Sequence, residues 1–177
     1  MSSRQRMALL ATALGISIPA TSCVGSLVGS QFASAQSAET PVPVERFRGG
    51  ATAFTSYSGL TDSMQVVLRD SVAWRQLWQR INSPFLPQPP LPAVDFGRDM
   101  VVVTALGNRP SAGYDVVIER ADVDTSGVEV AVRRTLPAAG CPVAAVETQP
   151  VDLARLPATD RPVRFRERSI TTPCAAR

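Results

Sequence analysis

Residues 100–106 place the strongest constraint on how this chain can fold. They read MVVVTAL, so apolar side chains point to both faces of an extended strand. Such a strand must be covered on both sides and therefore lies in the centre of a sheet. A helix predicted over about 71–82 can pack against this sheet, because its apolar residues recur at i, i+3, i+4 and i+7: Trp74, Leu77, Trp78 and Ile81.

Further stretches have the pattern of short or half-buried strands. They are 51–58, 64–70, 114–122, 128–136, 143–150, 151–157 and 162–170. The last one places Arg164, Arg166 and Arg168 on one face, which we interpret as a solvated strand face. The sequence therefore predicts a mainly β (α+β) fold, an antiparallel β-sandwich or open barrel with one Trp-containing helix packed on it.

Residues 1–35 have the pattern of a secretory signal peptide. Arg4 and Arg6 precede an apolar run, and small residues follow it. Three outcomes stay open: cleavage after Ala35, lipoprotein processing at Cys23, and retention of the signal as an uncleaved anchor. All three predict an extracytoplasmic protein, in the periplasm or secreted. Contact with a membrane is expected only if Cys23 is lipidated or the signal is retained.

The rest of the chain is interpreted as a short linker followed by one domain. Residues 36–50 are polar and contain Pro41 and Pro43, which is typical of a flexible tether, and residues 51–177 form the β domain. Two cysteines remain in it, Cys141 and Cys174. An oxidising compartment would join them in a disulfide, and two unpaired thiols are the alternative.

The composition excludes several classes of active site. The chain has no His, and all 18 of its basic residues are Arg. A Ser-His-Asp or Cys-His site, a Ser-Lys dyad and a Schiff base are therefore impossible, and the commonest zinc ligand is missing. The carboxylates nearest the central strand and the loop after it are Asp95, Asp99, Asp115 and Glu119, and nothing in their spacing requires an acid–base pair. We predict that the protein is not an enzyme and has no metal or cofactor.

The net charge gives no reason to expect nucleic-acid binding. The formal charge of the chain is +3, but Arg4 and Arg6 belong to the predicted signal peptide, which contains no acidic residue. The predicted mature protein has the other 16 Arg and all 15 Asp and Glu residues, so its net charge is almost zero. A nucleic-acid-binding surface would show a clear excess of positive charge.

The segment GNRPSAGY at 107–114 is the candidate functional site. It is longer than a usual hairpin connection. Pro110 fixes its own φ and restricts Arg109, while Gly107 and Gly113 permit unusual backbone conformations. A stiff loop suits protein recognition because it loses little entropy on binding, and a structural loop whose Tyr packs on the sheet is the alternative. The predicted partner-binding residues are Asn108, Arg109, Pro110, Ser111, Gly113 and Tyr114.

The stretch VDFGRDMVVVTALGNRPSAGYDVVIE resembles the C-terminal domain family of the protease-complex subunit PrcB. Ser111 and Ala112 replace the Thr and Gly of the family pattern, and the two cysteines are not part of it. The resemblance implies a non-catalytic extracytoplasmic domain that associates with a protease or another envelope protein. The matching positions are Asp95, Phe96, Gly107, Arg109, Pro110, Gly113 and Tyr114, followed by Thr148 and Pro150.

A second similarity concerns the loop alone. NRPSAGY is similar to the Asn-Pro-Thr-Thr-Gly-Tyr loop of chagasin-like cysteine-protease inhibitors, with Arg109 inserted between Asn108 and Pro110. The sequence thus predicts an accessory subunit of an envelope or secreted protease complex that binds a protein partner through 107–114. A chagasin-like inhibitor and a structural envelope protein are the alternatives.

Overall fold

A computed structural model describes residues 39–47 and 56–174. The predicted signal peptide with Cys23, the rest of the predicted tether and most of the predicted strand 51–58 lie outside the described residues. The elements are β1 (Thr40–Val42), β2 (Glu45–Arg46), β3 (Met64–Leu68), α1 (Ser71–Ile81), β4 (Asp99–Ala105), β5 (Asp115–Val123), β6 (Val128–Pro137), β7 (Val151–Pro157) and β8 (Val163–Thr172). No helix in the described part of the chain is long and apolar enough to cross a membrane.

The strands form two four-stranded sheets. The order β1-β5-β6-β8 defines the exposed sheet, and the order β2-β7-β4-β3 defines the helix-side sheet. Among the described residues no strand of one sheet pairs with a strand of the other, so the architecture is a sandwich, and the predicted mainly β (α+β) class is confirmed. The antiparallel prediction needs one correction, because β6 and β8 run parallel. β7 lies between them in sequence but belongs to the other sheet. The chain therefore returns to the exposed sheet as β8 in the same direction as β6.

The strand β4 has the two covered faces that its sequence predicts. It lies between β7 and β3, and its side chains are almost completely buried. Val101 and Val103 belong to an apolar cluster with α1, whereas Met100 and Val102 belong to a cluster between the two sheets. Burial of each such side chain stabilises the fold by about 1.5–3 kcal/mol. The molecule therefore has three layers, with β4 in the middle one.

The helix α1 begins and ends close to the predicted positions. The side chain of Asp70 caps its first turn, because Oδ1 accepts hydrogen bonds from the N–H groups of Val72 and Ala73 at 2.9 and 2.8 Å. The indole N–H groups of α1 hold the proline-rich segment 83–92 that follows the helix, and Trp78 donates to the carbonyl of Pro89 at 3.1 Å. The buried side chains are those that the periodicity predicts: Trp74, Leu77, Trp78 and Ile81.

Residues 40–46 are part of the sandwich, which corrects the prediction of a tether over 36–50. β1 pairs with β5 and β2 pairs with β7, each at the edge of its sheet. Pro43 and Val44 carry the chain from the exposed sheet to the helix-side sheet. Proline is compatible with an edge strand, and strand pairing depends on residues far away in the sequence. Local composition alone therefore suggested a linker.

Candidate functional site: two loops that cross between the sheets

The loop at 107–114 connects the two sheets, and this explains its length. β4 belongs to the helix-side sheet and β5 to the exposed sheet. Packed sheets lie about 10 Å apart, so a two-residue hairpin turn could not make the connection. The strands on either side of the loop, both predicted from the sequence, therefore do not pair with each other as a hairpin. The length of this loop is one of the features that suggest a functional site. The connection between the two sheets accounts for part of that length.

Both glycines of the loop have the unusual backbone that the sequence predicts. Gly107 has a φ of +71° and Gly113 a φ of +92°. A Cβ atom at Gly107 would lie 2.7 Å from the carbonyl oxygen of Thr61 and the nitrogen of Ser63, so no larger residue fits there. Directly after it, the N–H of Asn108 donates to the carbonyl of Thr61 at 2.9 Å. The loop therefore starts in close contact with the residues that precede β3.

A second loop, at 138–150 between β6 and β7, lies beside the first. Arg109 and Thr148 exchange two backbone hydrogen bonds, of 2.8 and 3.0 Å, and form an isolated bridge. The N–H of Ala112 donates to the carbonyl of Ala144 at 3.0 Å, and Thr148 Oγ1 donates to the carbonyl of Ser111 at 3.1 Å. The predicted strand 143–150 is thus wrong: apart from the bridge residue Thr148, this segment is a loop packed on another loop.

The predicted disulfide between Cys141 and Cys174 is confirmed. It joins the second loop to the segment that follows β8, with the two Cα atoms 5.1 Å apart. A groove of about 400 Å³ lies beside the disulfide and is lined mainly by apolar atoms, including those of Pro137, Val143 and Pro173. Residues 107–114 and 141–148 together are termed the two-loop surface below.

The structure brings the predicted site residues together, but not all of them face solvent. Arg109 Nη2 donates to the carbonyl of Leu106 at 2.6 Å, and the guanidinium lies 5.9 Å from the ring centroid of Tyr114. Tyr114 is half-buried and packs on the apolar cluster between the sheets. Both side chains therefore support the loop itself. The exposed residues of the first loop are Asn108, Pro110 and Gly113, and Ser111 is partly covered.

The largest exposed part of the two-loop surface comes from a segment that sequence reasoning missed. All residues from 142 to 147 are exposed. Val143 and Val146 keep 39% and 37% of their surface accessible, although both are aliphatic. The signal was present in the sequence as the apolar run PVAAV next to Cys141. The pattern predicts a short strand over 143–150, because a short apolar run between turn residues is typical of a strand.

Three of the four carboxylates named as the nearest to the central strand and its loop have separate structural partners. Asp95 Oδ1 accepts from the N–H of Gly97 at 3.0 Å in a turn, and Asp99 lies 3.7 Å from Arg155. Glu119 binds Arg168, whose hydrogen bond lowers the pKa of this carboxyl below its ordinary value. In residues 39–47 and 56–174, no group of three or more His, Cys, Asp and Glu residues is placed to hold a metal ion.

One carboxyl group is buried between the sheets. Asp152 Oδ2 accepts a hydrogen bond from the N–H of Ile118 at 2.7 Å, and Arg46 Nε lies 3.5 Å away. Arg46 also donates to the carbonyl of Ile118. β1 reaches only as far as Ala121 along β5, so these two side chains satisfy backbone groups that have no strand beside them in the described part of the chain. Burial raises the pKa of Asp152, and its role here is structural.

The fold and the two-loop surface define a small β-sandwich domain in which two crossover loops present an exposed surface. Residues 100–157 match the protein-family model described as PrcB C-terminal, which confirms the predicted resemblance over about a third of the chain. The matched stretch runs from the second residue of β4 to the end of β7 and contains both crossover loops, whereas α1 and β8 lie outside it. No similarity to chagasin-like inhibitors is shown. No curated protein and no solved structure matches the chain.

Proposed function

We propose that the protein is a non-catalytic, extracytoplasmic domain that binds a protein partner, and that this partner belongs to a protease complex. The observation that carries the proposal is the family match, because it contains both crossover loops of the two-loop surface. The family name supports a role related to a protease complex. The Cys141–Cys174 disulfide supports the location, since disulfides persist in oxidising compartments.

The geometry of the two-loop surface supports binding rather than catalysis. Its two loops are joined by backbone hydrogen bonds, and the disulfide links the second loop to the segment after β8, so little conformational freedom would be lost when a partner binds. Its exposed residues include the apolar Pro110, Val143 and Val146 and the polar Asn108 and Glu147. Exposed apolar side chains combined with polar groups are typical of protein interfaces.

The experiment that tests this proposal compares exposed valines on two parts of the molecule. The full chain is immobilised as wild type, as a Val143→Asp, Val146→Asp variant and as the control Val72→Asp. Val72 is 58% exposed at the start of α1, where an acidic residue is favourable for the helix. Each form is incubated with an envelope and secreted fraction, and bound proteins are identified and assayed for protease activity.

We expect the wild type and Val72→Asp to retain the same protease component, and the double variant to retain at least about tenfold less of it. Equal capture by all three forms would contradict the use of this surface.

A hydrolytic activity of the purified protein that Asp95→Asn or Asp115→Asn abolishes would contradict the non-catalytic proposal. Inhibition of purified cysteine proteases by the wild type would favour the inhibitor alternative instead.

A further inference from the structure

In residues 39–47 and 56–174, three of the four edge strands carry a feature that protects them against pairing with another chain. An edge strand exposes unpaired N–H and C=O groups, and proteins protect such edges by short length, proline or charged side chains. β1 has three residues and contains Pro41, and β2 has only two residues. β8 is ten residues long but carries three exposed arginines in alternation, Arg164, Arg166 and Arg168.

The fourth edge, β3, carries none of these features. Its sequence is MQVVL, and in the described part of the chain it pairs with β4 alone. One face of the strand is linked to the exposed sheet, because Gln65 Nε2 donates to Glu167 Oε1 of β8 at 2.8 Å. On the other face, towards α1, Met64 and Val66 are only half-buried. β3 is therefore an apolar edge with no further strand beside it among the described residues.

A groove of about 210 Å³ lies between β3 and α1. Its apolar lining comes from Met64, Val66 and Leu68 of the strand and from Ala73 and Leu77 of the helix. The volume is smaller than the pockets of about 300–1,000 Å³ that usually hold small-molecule ligands. It suits aliphatic side chains that enter from a segment lying along the edge of the sheet.

One cation lines the groove. Arg80 is exposed near the end of α1, and its guanidinium makes no hydrogen bond or ion pair with any carboxylate of residues 39–47 and 56–174. A carboxylate of a ligand in the groove would form a charge-assisted hydrogen bond with it. Arg75 lies on the same helix, is also exposed, and does not line the groove.

We propose that β3 and this groove bind an extended segment of a partner protein as an additional strand. The outer backbone of β3 pairs with no strand in the described part of the chain and requires an extended main chain. The apolar lining requires aliphatic side chains at alternate positions, and Arg80 requires an acidic group. The groove shares no residue with the two-loop surface, so the site is a second interaction surface and does not depend on the function proposed above.

The test uses a displayed library of random linear peptides, selected on the immobilised full chain. We expect enriched sequences that alternate aliphatic residues and carry Asp, Glu or a free C-terminal carboxylate. A selected peptide is then synthesised, and amide hydrogen exchange is measured with and without it. Exchange at residues 64–68 should become slower when the peptide binds, because the added strand pairs with the outer edge of β3.

Three variants separate the groove from the rest of the molecule. Arg80→Glu should weaken binding of the peptide by about tenfold or more, whereas the matched control Arg75→Glu should leave it unchanged. Ala73→Leu fills the groove with a good helix former and should abolish binding without lowering the melting temperature. The Val143→Asp, Val146→Asp variant should bind the peptide normally, which keeps this test independent of the two-loop surface.

Several results would overturn the proposal. One is a selection that enriches the same peptides on the Ala73→Leu variant as on the wild type. Another is a peptide that binds without slowing exchange at residues 64–68. A third is a concentration-dependent dimer, seen by sedimentation and abolished by Ala73→Leu, since it would make a second copy of the chain the occupant of the groove.

Discussion

The helix-side sheet and the exposed sheet share the apolar layer between them but differ in the chemistry of their outer faces. The outer face of the helix-side sheet is apolar and lies under α1, with Val103 and Leu153 completely buried. The outer face of the exposed sheet carries charged residues such as Glu129 and Arg166. The pattern of each central strand reflects this difference, because β4 is apolar on both faces and β6 alternates.

The two outer faces are also stabilised by different interactions. On the helix-side sheet, large side chains are removed from water, which contributes several kcal/mol in total. On the exposed sheet, Glu119 bridges Arg133 of β6 at 3.0 Å and Arg168 of β8 at 2.7 Å. Exposed ion pairs contribute little each, so the disulfide beyond β8 is the stronger constraint on this sheet. The following substitutions test this comparison.

The largest loss of stability is expected for Trp74→Ala in α1. Trp74 is 1% exposed and stacks on Phe47, with ring centroids 5.2 Å apart. Its removal should lower the free energy of unfolding by about 3–5 kcal/mol, measured by chemical denaturation. The control Arg75→Ala on the exposed side of the same helix should change it by less than about 0.5 kcal/mol. Similar losses for both variants would contradict the covering role of α1.

The second largest effect is expected for Cys141→Ser combined with Cys174→Ser. The disulfide closes a sequence separation of 33 residues, so its loss should lower the free energy of unfolding by about 3–4 kcal/mol. Reduction of the wild type before thermal denaturation should give the same decrease. A stability that neither treatment changes would show that β8 is held by its strand pairing alone.

A smaller effect is expected for Glu119→Gln on the outer face of the exposed sheet. The variant should lose about 0.5–1 kcal/mol at neutral pH, because Arg133 and Arg168 lose a charged partner. The hydrogen bond from Arg168 keeps the pKa of Glu119 below its ordinary value of 4.5. Its stabilising effect is therefore present above pH 4.5 and disappears as the pH falls through the lowered pKa.

Denaturation at a series of pH values checks this prediction. The difference in stability between the wild type and Glu119→Gln should vanish in acid. Glu129→Gln is the matched control on the same face, where a single contact of 3.4 Å with Arg166 predicts a smaller change. A Glu119→Gln difference that persists at low pH would mean that packing, and not charge, links these strands.

The smallest effect is expected from Asp152→Asn and should have the opposite pH dependence. Burial raises the pKa of Asp152 above its ordinary value of 3.8, so the stabilising effect of its neutral form is complete below that pH. This effect is lost as the pH rises through the folded pKa. Relative to the Asn variant, which cannot ionise, the wild type should lose stability over this range. A change in the other direction would show that Arg46 compensates the buried charge.

The sequence predicted the parts of the fold that depend on local pattern. The two covered faces of β4, the four buried residues of α1 and the unusual backbone of Gly107 and Gly113 all follow from periodicity or from the properties of single residues. The Cys141–Cys174 disulfide followed from the number of cysteines left outside the predicted signal peptide. In each case the evidence lies within a few residues or in the composition.

The parts that could not be predicted depend on which sheet a strand joins. Whether β4 and β5 form a hairpin or cross between sheets is decided by their pairing with β7 and β6, which lie far away in the sequence. The parallel pairing of β6 and β8 and the edge strands at 40–46 have the same origin. The exposed segment 142–147 was missed for a related reason, since hydrophobicity does not show whether a covering element exists.

The pairing of the exposed sheet also has a consequence for how the chain reaches its folded state. Its two edges come from opposite ends of the described sequence, β1 at Thr40–Val42 and β8 at Val163–Thr172. β8 follows the other three strands of this sheet in sequence, so the sheet lacks one edge until that strand has been synthesised. Contacts between distant residues also slow folding. The pairing of β8 with β6, and the disulfide beyond β8, can therefore form only after all the other strands of the sheet are available.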